Sequence, residues 1–143
     1  MKITISGCMT FAEQMLAAQK VLQELGHTAY IPVDTELCVK APELSDNLEH
    51  CQTYSEIDLD KDHFNKIADS DAILVLNYPK NNIDGYIGGA TLMEIGVARH
   101  LDKKIFILHE LPPKDALKYV LEIQLAKPII LEGDINNIIQ HTL

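Results

Sequence analysis

The chain has 143 residues, a net charge of −9 and an apolar fraction of 47%. That fits one globular domain, residues 1–143, with enough chain to bury a sizeable core. Arg99 is the sole arginine, and 12 Lys and Arg face 21 Asp and Glu, so no clustered basic face exists for a nucleic-acid polymer or an anionic membrane. No apolar run approaches the roughly 18 residues of a membrane span, and Gly7 interrupts the opening MKITISG too early for a signal peptide. A cytoplasmic location is expected. Cys8, Cys38 and Cys51 are odd in number and lack C-x-x-C spacing, which excludes a disulfide framework and a zinc site and leaves no metal expected.

In chain order, Ile3 to Ser6 reads as a short apolar strand and Gly7 to Thr10 as a turn. Thr10-Phe11-Ala12-Glu13 matches a capping box, and Met15, Leu16, Ala18, Val21, Leu22 and Leu25 then recur at helical spacing until Gly26 closes the helix. Thr28 to Ile31 is a second strand, ended by Pro32. Residues 33–59 mix charges, Pro42 and few apolar positions, and read as a lid, a short helix or a surface excursion. A helix over Asp62 to Ala68 precedes the buried strand Ala72 to Leu76. A helix over Thr91 to Leu101 and a strand over Ile105 to Leu108 follow. Leu111-Pro112-Pro113 breaks the chain before a helix over Lys114 to Leu125, a last strand from Pro128 to Leu131, and a final short helix capped by Asp134. Alternating elements with near-continuous apolar strands predict an α/β fold: a flavodoxin-like, doubly wound five-stranded parallel sheet, order 2-1-3-4-5, with helices on both faces.

That order sets the switch point between the first and third strands, so the loops Ser6 to Thr10 and Asn77 to Thr91 should face each other across one crevice. Gly88-Gly89-Ala90-Thr91 opens a helix there, with Glu94 close behind. Two readings of Glu94 compete. Thr91-Leu92-Met93-Glu94 is itself a capping box, in which Glu94 reaches back to the helix end. Alternatively the carboxylate faces a ligand, held ionised by the helix N-terminus, and attacks an anomeric carbon. Gly88 and Gly89 serve either as turn residues or as donors of backbone N–H groups to a ligand. Gly96, inside the helix, costs stability unless it permits close packing of helix on sheet. Tyr78 and Tyr86 flank the loop, as base-stacking platforms or as ordinary loop aromatics. Cys8 sits just before a helix start, where thiol pKa values fall. Asp71 reads as structural, and Arg99 and His100 as part of a solvated helix face.

The segment Asp71 to Leu108, with Glu94-Ile95-Gly96-Val97-Ala98 and the early Ile5-Ser6-Gly7-Cys8-Met9 turn, resembles the nucleoside 2-deoxyribosyltransferase superfamily, which includes deoxynucleoside 5′-monophosphate N-glycosidases. The resemblance implies cleavage or transfer at the N-glycosidic bond of a nucleoside or its 5′-monophosphate, with Glu94 as nucleophile and no cofactor. It implies that Ser6, Gly7, Cys8 and Met9 cradle the 5′ end or its phosphate. The sugar would lie against the loop from Asn77 to Thr91, with Tyr86, Gly88 and Gly89. It also implies a homodimer or larger homo-oligomer. The chain departs from the family where a leaving-base aspartate usually precedes the nucleophile, since Gly88 stands there. A second family aspartate falls at His63, beside Asp62. Asp62, His63 and Asp84 are therefore the candidates for assisting the leaving base.

Two rivals remain. Gly88 to Glu94 also approaches the G-G-x-G-T-x-x-E loop of phosphoribohydrolases that resemble lysine decarboxylases, but it is one residue short and lacks a glycine. A non-catalytic nucleotide- or nucleoside-binding module would use the same crevice without cleaving its ligand. The enzymatic readings are separated from a capping glutamate by the setting of Glu94: an open pocket with room for a ribose for an enzyme, a turned-back, occluded carboxylate for a cap.

Overall fold

A computed structural model describes residues 1–45 and 57–142. Cys51 and the rest of 46–56, within the stretch left open above, lie outside the described residues. Five parallel strands form one sheet in the order β2-β1-β3-β4-β5, as expected: β1 (Lys2–Gly7), β2 (Thr28–Tyr30), β3 (Ala72–Leu76), β4 (Lys104–Ile107) and β5 (Ile129–Ile130). β1 and β3 pair along their length, from Ile3↔Ala72 to Gly7↔Leu76.

Side chains alternate across a strand, and here the alternation divides the core in two. Ile3, Ile5, Leu74, Leu76, Phe106 and Leu108 meet Met15, Ala18 and Leu22 of helix α1 (Ala12–Glu24) on one face. Ile73, Val75, Ile105 and Ile107 meet Ile67 of α3 (Leu59–Ala68), and Ile95 and Ala98 of α4 (Gly89–His100), on the other. Thr4 and Ser6 are the buried polar positions of β1 between Ile3 and Ile5 and beyond. Thr4 Oγ1 bonds Ser70 Oγ at 2.7 Å, and Ser6 Oγ bonds His63 Nε2 of α3 at 3.2 Å. The polar half of β1 is therefore matched by polar groups at and after α3, as buried hydroxyls require.

Several boundaries differ from the sequence reading. The Thr10–Glu13 capping box does not form. A 3₁₀ turn over Met9–Phe11 intervenes, α1 starts at Ala12 without a side-chain cap, and Thr10 Oγ1 instead donates to Cys8 Sγ at 3.2 Å. The stretch after Pro32 holds a short helix α2 (Thr35–Lys40) and a 3₁₀ turn (Pro42–Leu44), whose Cys38 and Leu44 pack on Ala12. α3 begins earlier than expected because Asp58 caps it, accepting from the Lys61 N–H at 3.2 Å. The helix expected from Lys114 shrinks to α5 (Val120–Leu125). After Pro112-Pro113 the Pro113 carbonyl accepts from both Ala116 and Leu117, so the chain spends those residues in tight turns. The last strand is two residues, and the closing element is a 3₁₀ helix over Ile135–His141, with Asp134 capping it as predicted. Gly96 does not mediate helix–sheet packing: a Cβ there would meet nothing within 4 Å, because the residue lies on the outer side of α4. Asp71 is structural, its carboxylate accepting from the Lys2 N–H at 2.8 Å.

Gly7 ends β1 where the backbone passes closest to β3. A Cβ at this position would lie 2.9 Å from the Leu76 carbonyl oxygen, and backbone cannot yield as a flexible side chain would. Gly7→Ala is therefore expected to lower the urea-unfolding free energy by about 1–3 kcal/mol, the usual range for overpacking, whereas Gly26→Ala, in open space at positive φ, should cost less.

Candidate functional site

β1 and β3 are neighbours, but α1 and α4 leave them for opposite faces of the sheet. The loops after the two strands cannot both cover the sheet end, and a cavity of about 350 Å³ opens between them. Gly7, Cys8 and Met9 line one wall, and Tyr86 with Gly88 to Thr91 the other, so the two loops face each other as the topology required. The volume lies in the range of small-molecule sites. Gly88 is the N-cap of α4 in extended conformation with no side-chain cap, and the first N–H groups of a helix have no intrahelical partner. They are a donor set at the rim.

This geometry overturns the capping reading of Glu94, although the carboxyl is more occluded than the open setting expected of an enzyme. The helix starts at Gly89, so Thr91 and Glu94 lie within its first two turns rather than at a capping box. Glu94 lines the cavity, and its Oε2 stands 3.6 Å from His63 Nε2, with the two side chains 14% and 7% exposed. Neither Glu94 Oε2 nor His63 Nδ1 has a hydrogen-bond partner among the described residues. His63 is presented by α3 in the same i, i+4 row as buried Ile67, which pins that face of the helix to the sheet.

The electrostatics correct one expectation. The helix N-terminus does not hold Glu94 ionised. Burial pushes its carboxyl up to about 8, the negative charge of Asp60 adds to the rise, and a hydrogen bond with Ser6 opposes it. The helix dipole acts within the first turn, and Glu94 lies beyond it. His63 moves the other way, down to about 4, through burial and the nearby Lys66 ammonium, with Asp62 pulling back upward. Both shifts favour a carboxylic acid beside a neutral imidazole at neutral pH.

The other expected site residues divide. Tyr86 lines the cavity, with the Lys80 ammonium 5.7 Å from its ring centre. Tyr78 instead stacks edge-on against Phe11 and His109. Asn77 is fully buried and clamps β3 to the loop after β4, accepting from the His109 N–H at 2.8 Å and donating to its carbonyl at 2.9 Å. Asn77 and Asp84 line a neighbouring hollow with Glu110 and Glu132, not the Glu94 cavity. Asp62 pairs with Lys66 at 3.1 Å and does not line the Glu94 cavity either. Arg99 and His100 are exposed in the last turn of α4.

Asp34, Asp60 and Lys80 also line the cavity and were not expected there. Lys80 had a readable signal. Asn81 and Asn82 both have positive φ, and Lys80 and Ile83 exchange backbone hydrogen bonds across them, a turn for which Asn pairs are suited. That turn returns Lys80 to the cavity, where its ammonium donates to Cys8 Sγ at 2.9 Å. Asp34 and Asp60 carried no local signal, since α2 and the early start of α3 were themselves unread.

Fold and site together define a doubly wound α/β domain with a carboxyl–imidazole pair in the crevice at its switch point. No family model and no curated protein matches the chain. Among solved structures it is similar to the CMP N-glycosidase BcmB of Clostridium botulinum, with a TM-score of 0.50 at 15% identity over 99% of this chain and 97% of that one. At that identity the likeness is one of fold.

The two shifted groups give opposing contributions to stability. Glu94, raised in the folded state, makes the folded chain hold the extra proton between its ordinary value and about 8, so stability falls as pH rises through that window. His63, lowered to about 4, makes the unfolded chain hold the extra proton up to its ordinary value of 6.5, so stability rises with pH there. The two slopes cancel below 6.5, and Glu94 alone acts from 6.5 to about 8. Glu94→Gln removes the falling slope, and its melting temperature should gain on the native protein as pH goes from 6.5 to 8.5. A constant difference across that range would place the Glu94 midpoint elsewhere.

Proposed function

We propose that the protein cleaves the N-glycosidic bond of a nucleoside or nucleoside 5′-monophosphate, with Glu94 attacking C1′. The observation that carries this reading is a glutamate on the cavity wall, almost closed to solvent, with an oxygen that no described group bonds. A capping or surface-pairing glutamate would have that oxygen satisfied. The likeness in fold to a CMP N-glycosidase and the Glu94–Ala98 motif point the same way.

The sugar sits over Glu94 in this reading, between the first loop and Gly88–Thr91. Attack at C1′ forms a glycosyl ester with Glu94 and expels the base from the opposite side of the ring. Water then releases the sugar, or a second base captures it to give transfer. The 5′ end lies toward Cys8, Met9 and the Lys80 ammonium, and Tyr86 offers a face for the base. Because the leaving base departs on the side away from the nucleophile, His63, beside Glu94, is poorly set to protonate it. Asp62 and Asp84 lie outside the cavity, so of the sequence candidates none takes that role. Asp34 and Asp60, the other carboxyl groups that line the cavity, are the candidates instead.

Incubation with ribo- and deoxyribonucleosides and their 5′-monophosphates, with and without a free acceptor base, tests the reading by chromatography. Free base should form with the native protein, and Glu94→Gln should lower turnover by at least about 10³-fold, the scale of losing a covalent nucleophile. Whichever of Asp34→Asn and Asp60→Asn removes the proton donor should lower turnover more for substrates with poor leaving bases than for good ones. Tight binding of a nucleoside with no turnover would instead favour a binding module. Equal turnover by native protein and Glu94→Gln would remove Glu94 from the chemistry.

A further inference from the structure

A protonated carboxyl is a poor nucleophile, and the Glu94 side chain is only 14% exposed. Something inside the site has to take its proton. The candidates are few. Ser6 reaches the pair from β1 but is a hydroxyl. Asp60 is on the same helix as His63 and lines the cavity, but as a carboxylate its charge works against ionising Glu94. Lys66 and Asp62, also on α3, pair with each other and act on His63 with opposite signs. Across the cavity, Asp34 neighbours Cys38, and Lys80 engages Cys8. Among the described residues, the neutral base next to Glu94 is His63, at 3.6 Å.

We propose that His63 is the resident acceptor of the Glu94 proton, so that the nucleophile is ionised within the site as substrate binds rather than by exchange with solvent. The inference rests on the reading of Glu94 as nucleophile. In the step, the O–H bond of Glu94 breaks and the carboxylate keeps its electron pair. The lone pair of His63 Nε2 takes the proton, the ring's other hydrogen being on Nδ1. Carboxylate and imidazolium then face each other as an ion pair, and filling the cavity with substrate expels water and strengthens that attraction. Distances of this kind tighten in the substrate complex. Ser6 Oγ, 3.2 Å from Nε2, suits both states: its hydroxyl donates to the neutral ring and accepts from the imidazolium. His63 thus acts on the nucleophile and not on the leaving base, as a positioning residue for a proton.

The test is the pH profile of kcat/KM from pH 4 to 9.5, for native protein and His63→Gln on the same substrate, so that ionisation of the base cancels. With the relay, the pair is competent whenever it holds one proton or none. Transfer from a group near 8 to one near 4 is uphill, so the one-proton pair reacts through its minor ion-pair form. Native kcat/KM should then show an acid limb near 4 and hold a plateau from about 4 to about 8 that lies below its alkaline limit. Without His63, Glu94 must lose its proton to solvent. The limb should move up toward about 8, so that at pH 6 the variant runs about 100-fold below its own plateau and recovers at pH 9. A merely structural role would lower the variant's rate equally at every pH. Should His63→Gln fail to fold, the native profile still decides: a plateau between about 4 and about 8 supports the relay, and a continuous tenfold fall per pH unit below about 8 overturns it. Turnover with an unshifted variant profile overturns the relay while leaving the glycosidic reading standing. No turnover on any substrate overturns that reading, and the relay with it.

Discussion

The pairing of β1 with β3 is the contact on which the rest of the molecule depends. The two strands are far apart in sequence, and their register runs unbroken from Ile3↔Ala72 to Gly7↔Leu76. Their following helices pack on opposite faces of the sheet. A parallel sheet must be covered on both faces because its strands are apolar on both, and one pair of adjacent strands has to be where the chain changes side. The crevice at that point is a geometric consequence of covering the sheet. Gly7 permits the close approach of the two strand ends, since a Cβ there would lie 2.9 Å from the Leu76 carbonyl oxygen.

Polar groups buried on one side of β1 turn that crevice into a chemical site. Thr4 and Ser6 point toward α3 because strand residues alternate, and α3 answers with His63 while Ser70 follows it. His63 in turn lies against Glu94 from α4. Three elements thus bring one titratable pair together in a place with little water, and burial drives the two groups apart in proton affinity, Glu94 upward and His63 downward. Separation of this sort is how a fold assigns acid and base roles to neighbouring residues. It also makes the site costly, since the same burial that tunes the pair makes stability depend on pH.

Much of this was legible along the chain. Near-continuous apolar runs located β1, β3 and β4 to within a residue or two, and the order of elements predicted the sheet order. Gly88-Gly89 and Glu94 marked one wall of the cavity and Gly7 to Met9 the other, while Ser6 lies behind that wall, bonded to His63. Legibility failed where tertiary contacts outweighed local preference. Thr10 prefers the Cys8 sulfur to its own helix. Asn77 spends its amide on joining β3 to the loop after β4. Asp84 belongs to a hollow of its own.

By itself, the sequence determined the fold class, the position of the switch point and the identity of the glutamate beside it, because strand periodicity, helix periodicity and glycine placement are local properties of the chain. Only the tertiary structure decided how deeply that glutamate is buried, which raises its proton affinity, and that His63 stands beside it. Proton affinity follows from burial and from charges brought near in space, and His63 and Glu94 stand on different helices whose separation is set by the sheet between them in sequence. The same holds for Asp34, Asp60 and Lys80, whose place at the cavity depends on how α2, α3 and the Asn81-Asn82 turn pack against the ends of the strands.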